Sequence, residues 1–236
     1  MTVHELEKYF NEFLKPENFV NDPSMNGLQI QNAEPDKKEI KNDMLGRWSE
    51  LKKLAAHPKY GKYATYGNHD IEEKIFLGFT FKHSNKKDKC ADERMIKFIE
   101  DSNMKILYDD YVMIDDIYLY GRPDYEKPNL HNETRLSEEE LISKMDNSKP
   151  IIVIDHEPRG TEELSKLGVD VLLNGHTHDG QIWPGTITIN WIWDNAYGYK
   201  QYGNLHNIVT SGVGLFGVNM RTDSIAEVCD IKVKFK

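Results

Sequence analysis

Three features of the chain predict an α/β fold. Short apolar runs each end in a polar turn, and an amphipathic helical pattern follows most of them, so strand, turn and helix recur from about residue 43 onward. The polar turns fall at the C-terminal ends of the predicted strands, the edge where open α/β sheets hold their ligands. The 236 residues are 39% hydrophobic and 29% charged, a globular composition long enough to bury a sizeable core.

The elements follow in order. Residues 1–15 place Leu6, Phe10, Phe13 and Leu14 on one helical face, with Thr2 and Glu5 as a capping pair and Pro16 after the end. A loop with a strand candidate at 27–31 comes next. "RWSELKKLAA" (47–56) reads as a helix, and "KYATYGNHD" (62–70) as a strand running into a turn. "DERMIKFIEDSN" (92–103) is a helix with Met95, Ile96 and Ile99 on its apolar side. "KILYDDYVMIDDIYLYGRPD" (105–124) holds two or three strands. "SEEELISKMD" begins a helix at a Ser137 cap, with Glu140 closing the capping box. "KPIIVIDHEP" is a buried strand, "GTEELSKLG" a helix stopped at Gly168, and "VDVLLNGHTHDG" a second strand and turn. "NIVTSGVG" adds a strand, and tail strands at 225–235 close the chain.

Composition narrows the function. The formal charge is −9, and no basic stripe exceeds short clusters such as "NKKDK", so nucleic acid is not an expected partner. Cys90 and Cys229 form neither a CxxC pair nor a disulfide framework. The N-terminus carries acidic residues and lacks the apolar core of a signal peptide. No stretch reaches the roughly 18 apolar residues of a membrane span. A soluble, cytoplasmic protein is expected, with peripheral membrane association as the other option.

Four turns carry unusual chemistry: "YGNHD", "IDHEP", "NGHTHDGQ" and "TSGVG". They hold four of the nine histidines: His69, His156, His176 and His178. Strand ends of one sheet converge, and imidazole is a frequent ligand of zinc, iron and manganese. His176 and His178 are two apart. On an extended segment they point the same way, whereas in a tight turn they straddle an ion pair. Asn68 adds a neutral amide oxygen, which suits a hard ion with several ligands. Asp70, Asp155 and Asp179 adjoin these residues, either orienting imidazoles or standing as solvated turn residues.

"GNHD" (67–70), "DHEP" (155–158) and "GHTHDGQ" (175–181) resemble, in order and spacing, the third, fourth and fifth motifs of calcineurin-like metallophosphoesterases. "GRPD" (121–124) and "TSGVGLFGVNMR" (210–221) resemble further blocks of a bacterial branch. The resemblance covers about residues 43–236. It implies a four-layer α/β/β/α sandwich and divalent metals (Mn, Fe or Zn), two in the family. It implies that Asn68, His156 and His176 hold one ion, that His178 holds the other, and that His69 protonates the leaving oxygen or stabilises phosphoryl charge. A phosphomonoester or phosphodiester is the implied substrate.

Two earlier motifs of the family, an Asp-x-His and a Gly-Asp with a bridging carboxylate, do not occur in residues 1–66. Asp36, Asp43 and His57 are the nearby groups, and Asp43 is the candidate replacement for the bridge. One ion then keeps three neutral ligands and the other only His178, so weak binding of one ion or fewer and impaired hydrolysis are expected. Residues 1–42, with "NGLQ", resemble the N-terminus of the hexameric dinuclear-metal-centre family sometimes described as GTP cyclohydrolase-like. The implied organisation is a head of different origin at 1–42 and a phosphoesterase domain lacking its first strands at 43–236. A degenerate domain that binds metal or a phosphorylated partner is the alternative function. The aromatic segment "NWIWDNAYGYKQYG" (190–203) is expected as a β-meander or exposed loop, with an interfacial patch as the other reading. Oligomeric state is not legible.

Overall fold

A computed structural model describes residues 59–68, 70, 74–76, 79–81, 93–125, 135–216 and 220–234. The expected elements at 1–15, 27–31 and 47–56 lie outside these residues, as do Asp36, Asp43, His57 and His69. The chain divides into two compact units, Met1–Lys59 and Tyr60–Lys236. Every described strand and helix belongs to the second unit.

Strand β1 (Tyr63–Ala64) pairs in parallel with β4 (Lys105–Ile106). Between them lie a hairpin, β2 (Lys74–Phe76) with β3 (Phe79–Phe81), and helix α1 (Glu93–Asp101). Among the described residues the main sheet has six strands. β5 (Asp110–Ile114) and β6 (Ile117–Gly121) form an antiparallel hairpin. β6 then runs parallel to β7 (Ile151–Ile154), β7 to β8 (Val171–Asn174), and β8 to β10 (Leu205–Val209). β9 (Gly198–Tyr202) closes the order β5-β6-β7-β8-β10-β9 as an antiparallel edge. Parallel neighbours need crossover connections, supplied by α2 (Glu138–Ile142) between β6 and β7 and α3 (Thr161–Lys166) between β7 and β8. This is the α/β fold the sequence predicts.

Local chemistry sets the helix boundaries. Ser137 accepts from the Glu140 amide and Glu140 reaches back to the Ser137 amide, a complete capping box. Gly168 stands just past α3 at φ +91°, a conformation that L side chains rarely adopt. The core lies where α2 and α3 cover the sheet: Tyr120, Leu141, Ile151, Val153, Leu164, Leu172 and Leu205 are all fully buried. Each such side chain contributes roughly 1.5–3 kcal/mol relative to exposure.

Two expectations are corrected. The aromatic segment opens with a helix, α4 (Gly185–Ile192), and only its second half is a strand, β9. Helix α4 leaves Ile187, Trp191 and Ile192 exposed. The tail forms no strand among the described residues 220–234, and its last described residues are mostly exposed. Their alternation of apolar and charged residues has no sheet face to meet.

Register places the site. Gly121 is level with Ile154, Ile154 with Leu173, and Asn174 with Val209. The turns "GRPD", "DHEP", "NGHTHDGQ" and "TSGVG" therefore leave the sheet side by side along one edge.

Candidate metal centre

The turn after β1 closes on itself. The Asp70 amide donates to the Gly67 carbonyl at 3.1 Å, and the Asp70 carboxylate accepts from the Gly67 amide at 2.8 Å. This presents Asn68, itself buried, toward the end of β7. A glycine is required at 67: a Cβ there would lie 2.6–2.8 Å from three atoms of the His156 ring. The imidazole packs directly on the backbone that presents Asn68.

Three of the predicted ligands converge. Asn68 Oδ1 lies 3.1 Å from His156 Nε2, and His176 Nδ1 lies 3.1 Å from the same nitrogen. The two imidazoles meet edge to face at 4.9 Å between centroids, and Trp193 packs on His176 at 5.4 Å. One amide oxygen and two imidazole nitrogens gathered this closely are donors a divalent ion accepts. Among the described residues, no group of three or more His, Cys, Asp or Glu side chains could hold a metal. The convergence depends on the asparagine, and among the described residues it carries no anionic donor.

His178 has an arginine and a phenylalanine among its neighbours. Its ring stacks on Phe216, and the Arg221 guanidinium approaches its Nδ1 at 3.3 Å while also donating to its carbonyl at 3.2 Å. An N–H aimed at Nδ1 engages the lone pair of that nitrogen. Arg221 further donates to the carbonyls of Ser211, Gly212, Gly214 and Ile225. It thereby ties the loop after β10 to the His178 turn. The described donors thus suit one ion at Asn68, His156 and His176, while a fixed cation stands against His178.

The turn after β8 holds four non-glycine residues at positive φ: His176, His178, Asp179 and Gln181. Such conformations are uncommon outside glycine and cluster at functional sites. Neighbours hold the backbone there. Thr177 donates to the Ala196 carbonyl and accepts from the Asp179 amide. Gln181 and Phe216 exchange two bonds, at 2.8 and 2.6 Å.

The three candidate aspartates separate. Asp70 closes its own turn. Asp179 is partly buried and its carboxyl is raised, first by burial and then by Asp223. Asp155 is buried and its carboxylate faces arginine: both its oxygens accept from Arg135, at 3.1 and 2.5 Å, and Arg122 stands at 4.0 Å. Burial pushes its carboxyl above the ordinary range, and the two arginines pull against that. Arg122, with 1% of its surface exposed, also binds Glu138 and the Leu136 carbonyl, both at 2.8 Å. A solvated turn residue, the other expectation for Asp155, fails here because the chain at 135–138 folds over the β7 end.

Sequence reasoning missed this ion network and a ladder of buried asparagines. Asn174 donates to the carbonyls of Asp155 and Glu157, holding the "DHEP" turn from both sides of His156. It accepts from Asn207, which in turn accepts from Asn195. The available signals were an arginine just after an apolar strand, in "YGRPD", and polar Asn174 ending "VLLN".

The match to known proteins agrees with this geometry. The family model for calcineurin-like phosphoesterases covers residues 35–180, and the chain belongs to that family of metal-dependent hydrolases. The chain is 29% identical to an uncharacterized metallophosphoesterase of Helicobacter pylori over 143 residues, 60% of this chain and 38% of the relative. It is 27% identical over 183 residues to one of Aquifex aeolicus, 76% of this chain and 63% of that protein. A Danio rerio transmembrane protein with a metallophosphoesterase domain is 28% identical over 184 residues, 75% of this chain and 39% of the relative. The chain thus spans less than two thirds of these relatives. No solved structure matches significantly. No helix among the described residues is long and apolar enough to cross a membrane.

Proposed function

We propose that this chain hydrolyses a phosphomonoester or phosphodiester with a single divalent ion held by Asn68, His156 and His176. The observation that supports it is the 3.1 Å meeting of Asn68 Oδ1 and His176 Nδ1 at His156 Nε2. When bound, the ion supplies Lewis-acid polarisation of the phosphoryl group and activation of water. Asn68 and the two imidazoles hold it, and Gly67, Asn174 and the Asp155–Arg135 pair keep them in place. His69, adjacent to Asn68 in the chain, is assigned the proton delivered to the leaving oxygen. His178 is assigned to the Arg221 cluster and not to a second ion, so the rate falls short of a dinuclear enzyme. Only the residues before 35, where the family match begins, are retained as a head of separate origin.

The test is hydrolysis of aryl phosphomonoester and phosphodiester substrates with manganese, beside His69→Ala. Metal-dependent turnover that His69→Ala lowers by about 10²-fold or more, the ordinary contribution of a general acid, is the expected result. Turnover that the substitution leaves unchanged removes the assignment of His69. Absence of turnover in the parent protein favours a domain that only binds metal or a phosphorylated partner.

A further inference from the structure

Arg159, two residues after the glutamate of "DHEPRG", is not one of the groups that hold the metal centre. Its Nε donates to Glu157 Oε2 at 2.5 Å, and Glu157 is fully buried. Its guanidinium lies over two rings, 4.9 Å from the Tyr125 centroid and 4.6 Å from that of Trp193. Both Nη groups lack a hydrogen-bond partner among the described residues, and 43% of the side chain is exposed. Trp193 touches both sides: it packs on His176 and its ring carries Arg159.

A surface arginine is ordinarily mobile. This one is fixed by a carboxylate at Nε and by two aromatic rings, so its rotamer entropy is already spent. The two Nη groups left over form a planar fork, the shape that pairs with two oxygens of a phosphate. One indole separates that fork from His176. Glu157 holds the arginine through Nε alone, which leaves the bidentate edge for a ligand.

We propose that Arg159 is the substrate-anchoring residue of the same site, binding two non-bridging phosphoryl oxygens and selecting phosphomonoesters over phosphodiesters. The inference rests on the hydrolytic reading for its kinetics but not for its binding test. Both ester classes offer two non-bridging oxygens, but a monoester brings one more negative charge, and a fixed cationic fork rewards that charge.

Two measurements test it on the full chain. The first is calorimetric titration of the metal-free protein with inorganic phosphate. The second is kcat and KM for an aryl monoester and a diester with manganese. Arg159→Gln removes the fork, and Arg159→Lys keeps a charge for Glu157 without it. Both variants should weaken phosphate binding and raise the monoester KM by roughly tenfold, the worth of one charged hydrogen-bond pair. Metal content and kcat should stay within about twofold, and the diester KM should rise by a smaller factor than the monoester KM, because a diester brings the fork one negative charge fewer. Should Arg159→Gln fail to fold because Glu157 loses its partner, Arg159→Lys decides alone. The proposal is overturned if the parent binds no phosphate, if neither variant changes phosphate affinity, or if monoester and diester KM rise by the same factor. If no substrate is turned over but phosphate binding depends on Arg159, the anchoring role stands and the hydrolytic reading fails.

Discussion

Replacing Arg135 with methionine should strip Asp155 of its main partner while keeping much of the side-chain volume. The Asp155 side chain has no exposed surface, and both its oxygens are bonded to Arg135. Removing one member of a buried pair costs about 3–5 kcal/mol, because the remaining charge has neither water nor partner. Arg122 remains at 4.0 Å and offsets part of this, which places the expected loss near the lower end, about 3 kcal/mol. For a unit of this size the midpoint of thermal unfolding should fall by roughly 6–12 °C. Urea unfolding of both proteins gives the free-energy difference directly. The double variant Arg135→Met with Asp155→Leu should recover most of the loss, since replacing both partners is far cheaper than stranding one. A loss below about 1 kcal/mol in the single variant, or no recovery in the double, would refute the claim that this pair holds the "DHEP" turn.

Two more outcomes are expected. Asn174→Leu leaves the Asp155 and Glu157 carbonyls and the Asn207 amide without these partners, so stability should fall by about 2–4 kcal/mol with a matching loss of metal affinity; a change under about 0.5 kcal/mol, the range of ordinary surface substitutions, would show that the ladder does not hold the turn. Asp109 is raised above its ordinary value, chiefly by burial and against its bonds from Leu136 and Tyr120. Its contribution is therefore fully present below the ordinary carboxylate pKa and is lost as pH rises through the folded value. The stability advantage of the parent over Asp109→Asn should be larger near pH 4 than near pH 7, and urea midpoints that keep a constant difference across that range would contradict it.

The parts of the molecule that were legible in the sequence are those where chemistry and chain position coincide. His156, His176 and Asn68 stand in polar turns immediately after apolar strands, so their types and spacing announce a shared edge. The Ser137 capping box and the Gly168 stop are local and read directly. The ion network was not legible, because Asp155 meets Arg135 from 20 residues away and only folding buries both. Asn174 looked like part of a turn, yet its amide faces inward to two carbonyls that the sequence does not pair with it. Residues 185–192 are rich in β-branched and aromatic types, and tertiary context overrides that propensity to give α4. The motif marks His178 as a ligand, and it gives no sign of Arg221, which reaches the same ring from 43 residues later.

Metal stoichiometry bears most directly on the central claim. The full chain, dialysed to equilibrium against buffer that contains manganese, is assayed by elemental analysis, corrected for the free metal in the buffer, beside His176→Ala and His178→Ala. One equivalent per chain is expected, lost in His176→Ala and kept in His178→Ala. Two equivalents in the parent, or loss of metal in His178→Ala, would contradict the single centre at Asn68, His156 and His176.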